Sequence, residues 1–415
     1  MSKRFKAPRG TFDVLPEQGP VRRRIRSVAQ RALEAAGYGQ IETPIFEDTA
    51  LFARGVGETT DIVQKEMFTF EDQGGRSLTL RPEATASICR AYLEHGMQKR
   101  AQPVKVWTEG PFFRHERPQA GRFRQFSQID AEAIGSDSPL VDAELIVLAS
   151  DILAELGVED VRLLIGSLGT PETRRAYVDE LRDFLRSRES ELSEEVRNRL
   201  EVNPLRAFDA DHEGTRKVMA EAPTLLDRLD PADAEHFAAV REHLDRNGVA
   251  YEVEPSLVRG LDYYTRTVFE FESGRLGAQS ALGGGGRYDG LVELLGGPPT
   301  PACGWALGID RIALALEGQE GDQAARERDG VFVVAEADDR DGALALVTEL
   351  RRAGVTADLD LGDRAIKGQM KQADRTGARY ALILSSDGKA TLRDMTSGEE
   401  REIDAESVVE TLSSP

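Results

Sequence analysis

Cysteine is nearly absent. Two residues, Cys89 and Cys303, are too few for a disulfide framework and are not in metal-ligand spacing, so both are expected to be reduced, buried thiols. No apolar run approaches the roughly 18 to 20 residues of a membrane span. The basic N-terminus MSKRFKAPRG leads into TFDVLPEQGP and not into an apolar stretch, so no secretory signal is expected and the chain is placed in the cytoplasm. Basic charge is also short: 53 Lys and Arg against 73 Asp and Glu leave a net charge of -20, with lysine scarce beside arginine. Taken alone, that balance argues against an RNA partner. Screening over about 8 Å means, however, that a phosphate feels the patch it docks on, so local basic clusters decide. The overall acidity serves solubility. The glycine run 283–286 has no Gly-Lys-Ser/Thr after it and no parallel βαβ unit around it, which excludes a phosphate loop and a dinucleotide fingerprint. Close packing of backbone against a ligand or a neighbouring strand is the expected reason for it.

What remains is a chain of 415 residues, 40% hydrophobic and 30% charged, long enough for two or three domains. Val21, Ile25, Val28, Ala29, Ala32, Leu33 and Ala36 form the stripe of an amphipathic helix ending at Gly37. An extended stretch, Gly39 to Pro44, follows, and Pro44 belongs at a sheet edge. Residues 61–80 read as strands joined by a turn at Asp72 to Gly75, and 82–96 as a helix opened by Pro82. Segment 104–135 reads as two strands around a polar loop. Residues 170–250 form a charged helical insertion, with Thr170-Pro171 and Asp230-Pro231 as helix starts. The aperiodic polar stretch 319–329 is a linker. Beyond it, 330–415 alternates strands and helices as an α/β domain. Its 364–376 helix carries Lys367, Lys371 and Arg375 four residues apart on one face, with Arg364 before them, which suits an RNA backbone.

The chemistry concentrates in segment 113–135. Arg114, Glu116, Arg122, Phe126, Gln128, Asp130 and Glu132 fall at even spacings on two adjacent strands and therefore share one face. Aromatic residues alternate there with charges of both signs, and arginine forks match phosphate or carboxylate oxygens. The face is a polar floor for a ligand.

FRHE (113–116) followed by RFRQF (122–126) is similar to motif 2 of the class II aminoacyl-tRNA synthetases. LRPEATASICRAYLEHG (80–96), LVRGLDYYTRTVFEF (257–271) and GGGGRYDGLVELLGG (283–297) resemble the signature segments of histidyl-tRNA synthetases, and GWALGIDR (304–311) resembles motif 3. RGTFDVLP and the helix before Pro44 resemble the N-terminal hairpin and motif 1. The resemblance spans nearly the whole chain in order and is weakest over 170–250 and the last 25 residues. It implies an α+β catalytic domain over 1–318, an antiparallel sheet flanked by helices with the 170–250 insertion, and an anticodon-binding domain over 330–415. It implies a homodimer that takes ATP with Mg²⁺, L-histidine and histidine tRNA, with no tightly bound metal.

By the same resemblance, Arg114 and Arg259 are catalytic and meet the α-phosphate and the substrate carboxylate. Arg114, Glu116, Arg122, Phe126 and Arg311 bind ATP, with Phe126 stacked on adenine. Glu83, Ala84, Thr85, Gln128, Glu132, Tyr263 and Tyr264, with Arg114 and Arg259, bind histidine. A carboxylate beside the imidazole accepts its N–H and fixes the tautomer. Arg117 and Gln119 face the acceptor end of tRNA, and Lys367 and Lys371 add backbone contacts. Ala84 stands where many bacterial relatives have glycine, and Asp310 where many have glutamate. Two rivals share parts of the pattern: a catalytically inactive paralogue serving as the regulatory subunit of ATP phosphoribosyltransferase, and a threonyl or prolyl enzyme. The retained arginines and the 330–415 domain oppose the first, and RGLDYY opposes the second.

Overall fold

A computed structural model describes residues 5–57, 60–117, 121–201, 203–257, 260–277, 280–320, 328–385, 389–404 and 407–413. The chain divides into two compact units, Met1–Gln319 and Glu320–Pro415.

The first unit opens with α1 (Gly19–Ala35), which buries Ile25, Val28, Ala29 and Leu33 along the expected stripe. Then come β1 (Gly39–Gln40), β2 (Phe46–Asp48) and α2 (Thr49–Val56). Asp48 caps α2 by accepting from Ala50 N at 2.8 Å. Where a strand is expected after Asp61, the backbone instead forms a wide helical turn, Ile62–Glu66. Its Glu66 carbonyl accepts from His115 N at 2.7 Å, a long-range tie that the local pattern does not carry. Strands β3 (Phe68–Glu71) and β4 (Ser77–Leu80) follow as read. The turn between them is held by Asp72, which accepts from Gly74 N at 2.8 Å and Arg76 N at 2.9 Å. Helix α3 (Thr85–Glu94) starts three residues later than Pro82. The Glu83 carboxylate opens it, accepting from Thr85 N at 2.7 Å and Ala86 N at 3.0 Å and so satisfying two orphan N–H groups of the first turn.

The hairpin β5 (Val104–Phe113) and β6 (Gln125–Ile134) leads to α4 (Pro139–Leu156) and β7 (Val161–Ser167). Four helices follow: α5 (Pro171–Ser187), α6 (Glu194–Arg199), α7 (Glu213–Met219) and α8 (Pro231–Arg246). Thr170 and Asp230 cap the first and last of them, as their Thr-Pro and Asp-Pro pairs predict. The unit is completed by β8 (Glu252–Val253), β9 (Thr265–Ser273), β10 (Ala281–Arg287), α9 (Leu291–Leu294), β11 (Ala302–Gly308) and α10 (Ile309–Glu320).

Eight of these strands form one sheet in the order β1-β5-β6-β11-β10-β9-β7-β8. Its centre is antiparallel, and its two edge pairs, β1–β5 and β7–β8, are parallel. One face packs on α1, α4 and α8 through Ile129, Ala131 and Ala133 of β6, Trp305 and Leu307 of β11, and Phe237, Val240 and Leu244 of α8. The last helix of the 170–250 stretch is therefore part of the main core. Because side chains alternate across a strand, Phe126, Gln128, Asp130 and Glu132 are left on the opposite face.

The glycines of β10 are explained by its neighbour. A Cβ on Gly283 would lie 2.3 Å from the Ala306 carbonyl oxygen, and one on Gly285 would lie 2.0 Å from that of Gly304. Both cysteines are buried and unbridged.

The second unit contains β12 (Val331–Val334), α11 (Arg340–Arg352), β13 (Ala357–Leu359), α12 (Ile366–Thr376), β14 (Tyr380–Leu384), β15 (Lys389–Asp394), β16 (Glu400–Asp404) and α13 (Val408–Ser413). Its sheet runs β13-β12-β14-β15-β16, parallel among the first three strands and antiparallel thereafter. Val331 and Val333 pack on α11 and α13, whereas Phe332 and Val334 pack on α12. That is why VFVV is apolar at every position. Lys367, Lys371 and Arg375 are exposed on α12. Arg364 precedes the helix and is paired with Asp360. Among the described residues no helix is long and apolar enough to cross a membrane.

Candidate active site

The site is built on the β5–β6 hairpin. In its register Phe112 faces Phe126 and Gly110 faces Gln128. Pairing continues past the strand ends, where Arg114 N donates to Arg124 O at 3.0 Å. Arg114 consequently leaves the hairpin on the same face as Phe126, with its guanidinium carbon 5.4 Å from that ring centroid. Its Nε donates to Pro82 O at 2.9 Å, which fixes the side chain against the segment carrying Glu83.

Two cavities open on this face. One, of about 180 Å³, is lined by Arg114, Glu116, Arg122, Phe126, Gln128 and Arg311, among others. The other, of about 160 Å³, is lined by Glu83, Thr85, Arg114, Gln128, Tyr263 and Tyr264, among others. Arg114, Gln128 and Gly283 border both, so the two form one trough.

The first cavity sets three arginines, Arg114, Arg122 and Arg311, among three carboxylates, Glu116, Glu270 and Asp310. Arg122 pairs with Glu116 at 3.3 Å. Arg311 Nη1 donates to Gly121 O at 3.2 Å, tying the loop before β6 to α10. Burial and the neighbouring Arg122 charge lower the Arg311 pKa, against the opposing pull of Glu270 and Glu116. Asp310 belongs to the frame: its Oδ2 accepts from Ser127 N at 2.7 Å, and its other oxygen pairs with buried Arg22 of α1.

The second cavity is acidic and deep. Glu83, Asp130 and Glu132 are all at most 4% exposed, and burial is the first cause raising the pKa of each. Glu132 is pushed up to about 8. Its Oε1 accepts from Thr85 Oγ1 at 2.6 Å and its Oε2 from the Tyr288 hydroxyl. Gly304 makes room for it, since a Cβ there would lie 1.6 Å from Glu132 Oε2. Tyr263 packs between Tyr264, tilted at 4.8 Å, and Tyr288, edge-on at 5.6 Å. The tyrosine pair is held from the 170–250 region by Arg174 of α5, whose Nη1 donates to Tyr264 O at 2.9 Å.

Most residues expected at the site thus converge on one trough. Ala84 is fully buried in the apolar cluster beneath it and is not among the lining residues. Glu132 bonds Thr85 and Tyr288, both of which line the second cavity. Arg117 is exposed just beyond the hairpin. Arg259 and Gln119 lie outside the described residues. Lys367 and Lys371 belong to the second unit and are no part of this trough.

Sequence reasoning placed Asp130 on the ligand face without giving it a role, and gave none to Tyr288 or Glu270, all of which line the trough. The even spacing of β6 was sufficient to find Asp130, and Tyr288 lies within GGGGRYDG. Nothing local distinguishes Glu270 from other strand carboxylates. Among the described residues, no group of three or more His, Cys, Asp or Glu side chains is placed to hold a metal ion.

Comparison with known proteins matches residues 10–312 to the histidyl-tRNA synthetase family and residues 330–414 to the anticodon binding domain family. The histidine-tRNA ligase of Streptomyces coelicolor is 49% identical over 416 residues, covering 99% of this chain and 97% of that protein. The apo S. aureus histidyl-tRNA synthetase superposes with a TM-score of 0.82 at 36% identity, covering 99% of this chain and all of that one. A Bacillus halodurans protein described as an ATP phosphoribosyltransferase regulatory subunit/histidyl-tRNA synthetase has a TM-score of 0.68, covers 93% of this chain and, at 23% identity, speaks only to the fold. The match over residues 10–312, with full-length relatives at nearly half identity, makes this chain a member of the histidyl-tRNA synthetase family.

Proposed function

We propose that the protein activates L-histidine with ATP and transfers the histidyl group to the 3′ end of histidine tRNA. The observation that carries this reading is a pair of adjoining cavities that share Arg114 and Gln128, one presenting Arg122 and Arg311 beside Phe126 and the other Glu83, Asp130 and the tyrosines. A nucleotide's phosphates suit the first end and an amino acid's nitrogens the second.

In the first step a histidine carboxylate oxygen attacks the α-phosphorus of ATP. The new O–P bond forms as the bond to pyrophosphate breaks, and negative charge spreads over phosphate oxygens. Arg114, at the junction, serves that charge and the attacking carboxylate together, and holding both in line supplies proximity as well as electrostatic stabilisation. Phe126 is the platform for adenine, with Glu116 near its amino group, Arg122 beside them, and Arg311 toward the γ-phosphate or adenine. Arg259 is assigned to the α-phosphate by family resemblance. Mg²⁺ arrives on the triphosphate, as a hard cation held by phosphate oxygens. Glu83, Thr85, Gln128, Tyr263 and Tyr264 receive histidine, with Glu132 ordering Thr85 and Tyr288 from behind.

In the second step a terminal ribose hydroxyl attacks the histidyl carbonyl carbon and AMP leaves, so no side-chain nucleophile is needed. Arg117 and Gln119 are assigned to the acceptor end and Lys367 and Lys371 to the RNA backbone. Residues 1–318 form the catalytic domain and 330–415 the anticodon-binding domain of a cytoplasmic homodimer. Amino-acid-dependent exchange of pyrophosphate into ATP, run with each standard amino acid, tests the reading. Histidine alone should support exchange. No exchange with any amino acid would favour the regulatory paralogue, and exchange with threonine or proline would refute the pocket assignment.

A further inference from the structure

The tyrosines of the second cavity hang on a strained residue outside it. Pairing of β9 with β10 jumps from Val268 opposite Gly286 to Thr265 opposite Arg287, so Arg266 and Thr267 bulge out of that ladder. Arg266 sits there at φ 47°, a left-handed conformation that bulges ordinarily give to glycine. Such strain persists where surrounding contacts over-determine it. Arg266 N donates to Gly169 O at 2.8 Å, Leu168 N donates to Arg266 O at 2.7 Å, and Arg266 Nε donates to Asp233 Oδ1 at 2.9 Å. Asp233, buried in the first turn of α8, accepts on its other oxygen from Thr170 N at 2.7 Å and Thr173 Oγ1 at 3.1 Å. One carboxylate therefore joins the starts of α5 and α8 to the bulge. Tyr264 lies two residues before Arg266, with its ring so close to β10 that a Cβ on Gly286 would be 3.1 Å from its Cδ1. Neither Asp233 nor Arg266 lines either cavity.

We infer that Asp233 and Arg266 are positioning residues: their ion pair sets the β9 bulge and thereby holds Tyr264 in the amino-acid cavity from the root of the 170–250 region. This rests on the histidine-activating reading. A glycine at 266 would meet the backbone's demand more easily, and arginine adds the guanidinium that Asp233 holds. Because Asp233 is desolvated, losing that charge-assisted bond matters more than losing an exposed pair. Arg174 acts on the same tyrosine through its carbonyl.

Pyrophosphate-exchange kinetics of the full-length protein test the inference in Asp233→Asn, Arg266→Gly and the double variant, with thermal unfolding as the check on folding. Asp233→Asn keeps an acceptor for Thr170 N and loses the charge, whereas Arg266→Gly keeps the left-handed backbone and loses the guanidinium. Each single variant should raise the histidine KM roughly 10- to 100-fold, the scale for displacing a ligand-positioning group by about 1 Å, while kcat and the ATP KM stay near native values. The double variant should be no worse than the more impaired single one, because both substitutions remove the same interaction. An unchanged histidine KM in Asp233→Asn would overturn the inference. So would additive losses in the double variant, or equal rises in both KM values, the mark of a general scaffold. Should Arg266→Gly not fold, Asp233→Asn decides alone. A native protein without histidine-dependent exchange would instead refute the activation reading, and the inference with it.

Discussion

The two ends of the trough differ in how their charges are held. At the phosphate end Arg122 is exposed and paired with Glu116, and Arg311 donates to the Gly121 carbonyl. At the amino-acid end Glu83 and Glu132 are buried and tied to an α3 terminus, a threonine and a tyrosine. The first end suits a ligand that arrives highly charged and leaves as pyrophosphate, so it remains accessible. The second must discriminate between small molecules, so its polar atoms are desolvated and pre-positioned, where a missing partner is expensive.

Substitutions at the two ends should therefore fail differently. The largest effect is expected at their junction: Arg114→Ala should lower the exchange kcat by roughly 10² to 10³, the scale for removing one donor to transition-state charge. A fall confined to the histidine KM would assign Arg114 to the amino-acid end alone. Glu83→Ala should both raise the histidine KM about tenfold or more, through loss of a charged acceptor, and lower stability by about 1 kcal/mol, through loss of the α3 cap. Thermal unfolding and exchange kinetics on one preparation separate the two effects.

Burial makes the acidic end pH-sensitive in a definite sense. Glu132 has its carboxyl pKa raised from 4.5 to about 8. Between those values the folded state holds a proton that the unfolded state has lost. The stability this group contributes is thus fully present below about 4.5 and is lost as pH rises toward about 8. Glu132→Gln removes that dependence, so its unfolding temperature relative to the native protein should rise between pH 5 and pH 8. A difference constant with pH would mean that Glu132 is ionised throughout. A smaller effect, a few-fold rise in histidine KM with little change in ATP KM, is expected for Arg174→Ala, which frees the Tyr264 backbone. Equal change in both constants would make α5 a general scaffold and not a support of the acidic end.

The hairpin and its ligand face were legible because a strand repeats every two residues and β6 keeps that repeat from Phe126 to Glu132. The α1 stripe, the Thr170 and Asp230 caps and the alternation of the second unit were legible for similar local reasons. What the sequence did not disclose depends on partners far along the chain. The Ile62–Glu66 turn is tied to His115. The helix predicted from Pro82 begins at Thr85 because the Glu83 side chain competes successfully as its cap. Helix α8, read with the insertion, packs on α4 through an apolar face that the charged composition around it disguises. Glu132 and Asp130 look alike in sequence, and only the positions of Thr85, Tyr288 and Gly304 distinguish Glu132 as the one held by hydroxyls.

The central claim is that one trough places an amino acid's carboxylate against a nucleotide's α-phosphorus at Arg114. A crystal structure with a non-hydrolysable histidyl-adenylate analogue tests it most directly. The account predicts adenine on Phe126, the phosphate mimic at Arg114, and the histidyl group in the cavity lined by Glu83, Gln128 and Tyr264. An analogue bound in the reverse sense, or with its histidyl group outside the tyrosine cavity, would contradict it.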